Sequence, residues 1–398
     1  MAVLSLVIFN EEFWNKGLIY SQNIKPLLEI RKNHPKYNIE FIAFTSIALY
    51  LRERKAIKRQ TESYRSDGIK VRLFPVLFYP TKYMVVNWFI LPWFVLNCLP
   101  YNFWLSLRDI FKSKDITYIL RSYQASLAFL LLYFGKGRRI FDTRTDWIEE
   151  ARGMGYWKKG GLTDKMWVTF ERRIMRKFNR TLFISDAQKA DTLQRTGHTD
   201  CEKFAVFYNQ ADYTRFKQCE NESRLDNFVY SGSLGNWNNL PTYLDFFLRI
   251  SPAFPDSVLY VLTPTAKSKI EPVLSEGKYR GIIDRVKVVY DVPYLDVPEY
   301  YAQCKYGLQL MEKADSRVGV KYVEYVAAGL IPIVHENVRG AAYIVDNMGL
   351  GVVVNNTLND EKVNEIKNAS ITEDSYLRFK AMTDEKESNS ILYKYLTC

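Results

Sequence analysis

Three observations predict an α/β protein built from two domains. The chain has 398 residues, too many for one ordinary hydrophobic core. Short apolar runs alternate with charged, helix-period stretches, the pattern of strands and crossover helices in a parallel sheet. After a polar stretch at 217–227 the alternation starts again. We expect one domain over 1–215, a second over 216–375, and a helical tail over 376–398 that can return to the first domain.

In the first half the expected strands are 3–9, 38–44, 71–75, 117–120, 139–141, 182–185 and 204–208. Helices are expected over 21–32, 48–67, 126–134, 163–178 and 186–196, with Ser185 or Asp186 capping the last. The stretch 76–112 is crowded with aromatic residues, among them Tyr79, Tyr83, Trp88, Phe89, Trp93, Phe103 and Trp104. It reads as a pair of core helices broken at Pro92 and Pro100, as an amphipathic element with its rings at headgroup depth in a membrane interface, or, as we expect, as a mixed case with one face packed on the sheet and the other against lipid. Its apolar run, 84–99, falls short of the ~20 residues of a membrane span. In the second half the strands are 228–230, 258–262, 286–290, 307–311, 331–334 and 349–354. Helices are expected over 240–250, 297–304 and from 320 to a stop at Gly329.

Hydrophobic residues make up 47% and charged residues 25%, a globular composition. The net charge of +11 is unevenly placed, because residues 1–200 carry 33 Lys and Arg against 18 Asp and Glu. A basic half points to nucleic acid, anionic lipid or an acidic substrate. No nucleic-acid-binding module is present, which leaves a membrane surface or a lipid-diphosphate acceptor. Five scattered cysteines without a C-x-x-C pair argue for a reducing compartment and against a metal or disulfide framework. The apolar start lacks a basic n-region, so we expect a first strand there, not a signal peptide.

The most informative stretch is 311–334, MEKADSRVGVKYVEYVAAGLIPIV. On a helix, Lys321 and Glu324 share a face near the first turn. That turn favours anions, Lys321 adds charge to it, and Glu324 can accept both hydroxyls of a sugar diol. Read without further context, the pair equally describes a surface helix with an i,i+3 ion pair. Ser231-Gly232-Ser233-Leu234-Gly235 lies between a strand and a helix, where small residues let backbone N–H groups approach a phosphate. Arg121, Asp142 and Arg144 fall at strand ends, where ligands gather in open parallel sheets.

The segment from Val320 to Val334 resembles the nucleotide-sugar motif of GT-B glycosyltransferases of the family 4 type, P-T-K-x-x-E-Y-L-A-x-G-x-P-V-I. Lys321, Glu324, Tyr325, Ala327, Gly329 and Pro332 fall on its positions. Where many relatives carry an acidic residue, this chain has Ser316. Gly17 to Gln22 resembles the loop after the first strand in the same enzymes. FDTRTDWIEE at 141–150 resembles their D-x-R-x-x-x-x-E-E segment, Asn209 to Asp212 their N-G-x-D turn, and Val292-Pro293-Tyr294 the stretch along the nucleotide base.

The resemblance implies two Rossmann-like domains facing a cleft (GT-B). It implies sugar transfer from a nucleotide sugar to a lipid-linked or polysaccharide acceptor in bacterial-type surface-glycan assembly, such as lipopolysaccharide or capsule. Anomeric configuration is expected to be retained, with no metal or other cofactor. The diphosphate and nucleoside would meet Gly17, Ser231, Gly232, Ser233, Gly235, Val292, Ser316, Val320, Lys321 and Glu324. Arg121, Asp142 and Arg144 would orient the sugar or the acceptor. The enzyme would sit in the cytoplasm, peripheral on the inner face of an anionic membrane. Two other classes stay open: a GT-B-shaped nucleotide-sugar epimerase, and a non-catalytic partner of a glycan assembly complex.

Overall fold

The structure is a computed structural model. It describes residues 2–14, 19–77, 86–111, 115–219, 224–235 and 238–397, with the backbone alone at 217–219. Gly17 lies outside the described residues, as do Tyr79, Lys82, Tyr83, Asn236 and Trp237.

Seven strands form the first sheet: β1 (Ala2–Phe9), β2 (Tyr37–Ser46), β3 (Lys70–Val76), β4 (Ile116–Arg121), β5 (Arg138–Asp142), β6 (Arg180–Phe183) and β7 (Phe204–Val206). Six form the second: β8 (Phe228–Ser231), β9 (Leu259–Thr263), β10 (Val286–Tyr290), β11 (Tyr306–Gln309), β12 (Ile331–His335) and β13 (Val352–Val354). Their orders are β3-β2-β1-β4-β5-β6-β7 and β10-β9-β8-β11-β12-β13. Every pairing is parallel. The residue pattern accounts for this. A parallel sheet is covered on both faces, so its central strands read as nearly unbroken apolar runs. β1 is buried from Leu4 to Phe9, and β12 throughout.

The strand order reverses between β1 and β4 in the first sheet and between β8 and β11 in the second. Those are the topological switch points, where the loops at the carboxyl ends of adjacent strands diverge and leave room for a ligand. Four non-glycine residues have positive φ among the described residues: Asn10, Ser122, Arg144 and Asp291. Each follows the carboxyl end of a strand, β1, β4, β5 or β10, by one or two positions. Backbone held in this sparsely populated region clusters where side chains must be aimed rather than merely packed.

The chain divides into two compact units. One comprises Met1–Ile184, Gln188–Phe207 and Asn389–Cys398; the other Ser185–Ala187 and Tyr208–Ser388. In the first unit the helix Ser388–Thr397 contributes Leu392 and Leu396 to the core beside Leu4, Ile8 and Phe41. There Arg138 donates to the Thr397 carbonyl at 2.7 Å, and Tyr393 stacks on His34 at 3.8 Å.

Two expectations are corrected. The stretch 48–67 forms not one helix but two, Ile47–Arg52 and Arg54–Ser66, which meet at Glu53. Pro92 and Pro100 do not separate two core helices, because Leu91–Phe111 is one helix with Pro100 inside it. Pro92 sits in the first turn, where its missing N–H costs nothing. Pro100 lies on the exposed side, so the carbonyl it leaves unpaired faces water. Side chains add bonds on the other flank, Asn102 to the Cys98 carbonyl at 3.0 Å and Ser106 to the Asn102 carbonyl at 2.7 Å.

Candidate active site

The residues singled out from the sequence fall into two sets, one in each unit.

The first set gathers at the β1/β4 switch point. β4 ends at Arg121 and β5 at Asp142, and their register places the two side by side. Arg121 donates from Nε to Glu11, just past β1, at 2.8 Å, and from Nη1 to Gln22 at 3.2 Å and to Asn23. Asp142 accepts from Asn23 Nδ2 at 2.9 Å and from Arg144 Nε at 2.8 Å. Arg144 also donates to the Gln22 carbonyl at 3.2 Å. Arg121, Asp142 and Arg144 are thus joined in one buried polar network. Burial pushes the Arg144 guanidinium below its usual range, against the opposing pull of Asp142. Glu11 Oε1 is buried with no hydrogen-bond partner, an acceptor left over in an otherwise satisfied group.

Sequence reasoning missed Glu11 and Asn23. Both lie in or after the first β–α connection, and nothing local marks them. The signal would have been the pairing of β1 with β4. Glu149 lies in the first turn of the helix Trp147–Gly153 and pairs with Arg152 and Arg195.

The second set surrounds the β8/β11 switch point. The chain leaves β11 at Gln309 and re-enters a helix at Val320–Ala327. Gly319 precedes it, and a Cβ there would lie 2.6 Å from Gln309 Nε2, so a larger residue would push that side chain away. Lys321 donates to Glu324 Oε2 at 2.9 Å, as their spacing predicts. Glu324 is nevertheless almost fully buried and has a second cation: Arg215 Nη2 donates to its Oε1 at 3.2 Å. Arg215 is itself fixed by Tyr294, whose ring centre lies 3.4 Å from the guanidinium carbon and whose carbonyl accepts from Nη1 at 3.2 Å. Desolvation pushes the Tyr294 hydroxyl above its usual range, and the nearby Glu324 charge adds to the shift. Val292 packs at the edge of this unit's core, two residues before Tyr294.

Burying a carboxylate between two cations satisfies its charge without using all of its lone pairs. A carboxylate offers about four acceptor sites, of which two are occupied here. Lys321 has three N–H bonds and remains partly exposed. The pair can therefore take up a diol and an anion together.

Ser231 ends β8, and its amide donates to the Tyr325 hydroxyl at 3.2 Å; its own hydroxyl bonds that of Tyr301. This ties the loop to the helix that carries Lys321 and Glu324. Gly232 has φ +148°, and a Cβ there would lie 3.0 Å from the Tyr230 hydroxyl. Its amide donates to the Leu262 carbonyl at 2.9 Å, that of Leu234 to Thr265 Oγ1 at 2.8 Å, and that of Gly235 to the Asn238 carbonyl at 2.8 Å. Four amides of the Ser231–Gly235 stretch are thus already engaged within the protein, while Ser233 contributes its carbonyl to Tyr230 at 2.8 Å.

Ser316 is buried, and its carbonyl accepts from Ser185. The neighbouring Asp315 supplies the carboxylate of this segment, held by Arg317 Nε at 2.9 Å and Nη2 at 2.8 Å. No group of three His, Cys, Asp or Glu placed to hold a metal ion occurs among the described residues.

No family model and no curated protein matches the chain by sequence. Solved structures do match along its whole length. HepE of Anabaena in complex with UDP aligns over 100% of both chains at 14% identity and TM-score 0.68. The apo structure of OtsA aligns over 100% of this chain and 99% of its own, at 11% identity and TM-score 0.64. Sucrose-phosphate synthase of Thermosynechococcus elongatus covers the same shares at 12% identity and TM-score 0.62. The chain has the two-domain α/β fold of the GT-B glycosyltransferases.

Proposed function

We propose that this protein is a glycosyltransferase that moves a sugar from a nucleotide sugar to an acceptor hydroxyl. The observation that carries the reading is Glu324, buried between Lys321 and Arg215 beside the switch point of the second sheet. Lys321 and the amides of Val320 and Lys321 at the helix start bind the diphosphate; Glu324 accepts the ribose hydroxyls. Tyr294 offers its exposed ring to the base. The solved HepE complexes contain UDP, UDP with glucose, and UDP-glucose, so a uridine nucleotide is the first donor to try.

In the reaction the acceptor oxygen bonds to the anomeric carbon as the bond from that carbon to the diphosphate oxygen breaks. The hydroxyl proton passes to the departing diphosphate on the same face, which retains configuration and requires no protein nucleophile. Lys321 stabilises the charge that develops on the leaving group. Arg121, Asp142 and Arg144 orient the sugar or the acceptor. We assign the acceptor to lipid-linked or glycan hydroxyls of a cell-surface glycan, at the inner face of a membrane; the basic first half supports this.

The test is incubation with a panel of radiolabelled nucleotide sugars, with and without lipid acceptor. Labelled product and released nucleoside diphosphate are expected. Nucleotide binding with only an epimerised sugar would replace transfer by epimerisation, and no nucleotide binding at all would end the reading.

A further inference from the structure

The helix Leu91–Phe111 is inside out. Its buried side carries Asn102, Ser106 and Asp109 beside Phe94, Cys98 and Leu105. Its solvent side carries Trp93, Leu96, Leu99, Phe103, Trp104 and Phe111, with Leu96 60% and Phe111 81% exposed. These recur at helical spacing along a stripe without a single charged residue.

The orientation is enforced from within. Asp109 accepts the Tyr118 hydroxyl at 2.5 Å, the Tyr133 hydroxyl at 2.7 Å and Arg108 Nε at 2.8 Å. Arg108 in turn donates to both oxygens of Glu40, at 3.0 and 2.9 Å. Rolling the helix to bury its apolar stripe would strip these buried charges of their partners, a heavy penalty in a desolvated site. The outward apolar face is therefore a fixed feature of the fold. Exposed rings extend it: Phe134 lies 5.7 Å from Phe103, and Trp88 donates to the carbonyl of exposed Leu162 at 3.4 Å.

Lysines flank in sequence the exposed residues that adjoin this face. Lys158, Lys159 and Lys165 are exposed in the chain around Leu162, and Lys136 is exposed two positions after Phe134. Arg72 lies over the Trp104 ring at 4.7 Å. An apolar stripe accompanied by lysines matches the chemistry of an anionic bilayer, with acyl chains beneath phosphates. It matches a protein interface poorly, since lysine is depleted there. No helix among the described residues is long and apolar enough to cross a membrane.

We propose that the outward face of Leu91–Phe111 docks in the interface of an anionic membrane, with Lys158, Lys159 and Lys165 on lipid phosphates. This deepens the membrane-side part of the reading above and stands apart from sugar transfer. The full chain should float with phosphatidylcholine vesicles containing phosphatidylglycerol, more weakly at high salt, and poorly with phosphatidylcholine alone. Leu96→Ser with Phe103→Ser should weaken flotation by at least about tenfold. Lys158→Glu with Lys159→Glu should weaken it on anionic vesicles alone, and keeps the test decisive if the first pair fails to fold. Nucleotide binding, measured on the same preparations, should be unchanged in both. Absence of flotation at any salt overturns the proposal, as does flotation unchanged in the folded variants. So does a stable dimer that Leu96→Ser with Phe103→Ser dissociates. Flotation without nucleotide binding would instead sink the transferase reading and leave this one standing.

Discussion

Arg215 donates to Glu324 at 3.2 Å across 109 residues of sequence. With Lys321 on the other oxygen, the carboxylate is held from both sides before any ligand arrives. A preorganised acceptor loses little freedom on binding, so its contribution to affinity is larger than that of a mobile surface glutamate.

Lys321→Ala and Glu324→Ala should each weaken nucleotide binding by about tenfold or more, the worth of a hydrogen bond to a charged group. Arg215→Met should do the same by freeing Glu324 from one side. Isothermal titration with UDP checks all three, and affinities equal to the parent's would place the nucleotide elsewhere.

Gly232 holds a backbone conformation with φ +148° that side chains rarely adopt. Gly232→Ala should therefore destabilise the loop by about 1–3 kcal/mol and weaken nucleotide binding. Gly232→Val should abolish turnover in a protein that still folds. Urea melts and turnover assays measure the two effects. Normal turnover in the valine variant would remove the loop from the donor site.

Asp142→Asn should leave nucleotide affinity intact, because Asp142 lies in the first unit's network, yet lower turnover. Loss of its hold on Arg144 misplaces the guanidinium, and an ångström of misplacement costs about a hundredfold. Steady-state kinetics with a saturating donor tests this, and an unchanged kcat would make the network purely structural.

Glu40 supplies a pH dependence. Burial raises its carboxyl, but Arg108 and Arg72 outweigh burial and hold it below the usual carboxylate range. A depressed folded value means the group stabilises the fold above its unfolded pKa, about 4.3. That contribution is lost as the pH falls through the folded value. Glu40→Gln should cost about 3 kcal/mol at neutral pH and flatten the acid limb of a stability curve below about pH 4. Urea denaturation across that range decides it; an equally steep acid limb in the variant would mean other carboxylates dominate.

The alternation of strands and helices was legible because each central strand is a short apolar run and each helix has a charged face. Lys321 and Glu324 were legible because helical spacing makes them neighbours. Arg215 was not, since it sits in a 3-10 turn with no periodicity and reaches Glu324 only through the packing of distant elements. Glu11 and Asn23 were hidden for the same reason. The helix Leu91–Phe111 misled at Pro100 because an exposed carbonyl tolerates the loss that a buried one would not. The amides of Gly232, Leu234 and Gly235 show a further limit: composition marks a loop that allows close approach, and says nothing of which donors the fold has already engaged.

The helix Ser388–Thr397 completes the core of the first unit, although more than a hundred and eighty residues of the second unit precede it in the chain. On the ribosome, the sheet that contains β1 is thus synthesised well before the residues that complete its core. Until Leu392 and Leu396 emerge, the core around Leu4, Ile8 and Phe41 is covered only in part, by residues such as Ile24, Leu27, Ile30 and Tyr64. Loss of residues 389–398 therefore damages the sheet that contains β1, far from them in sequence.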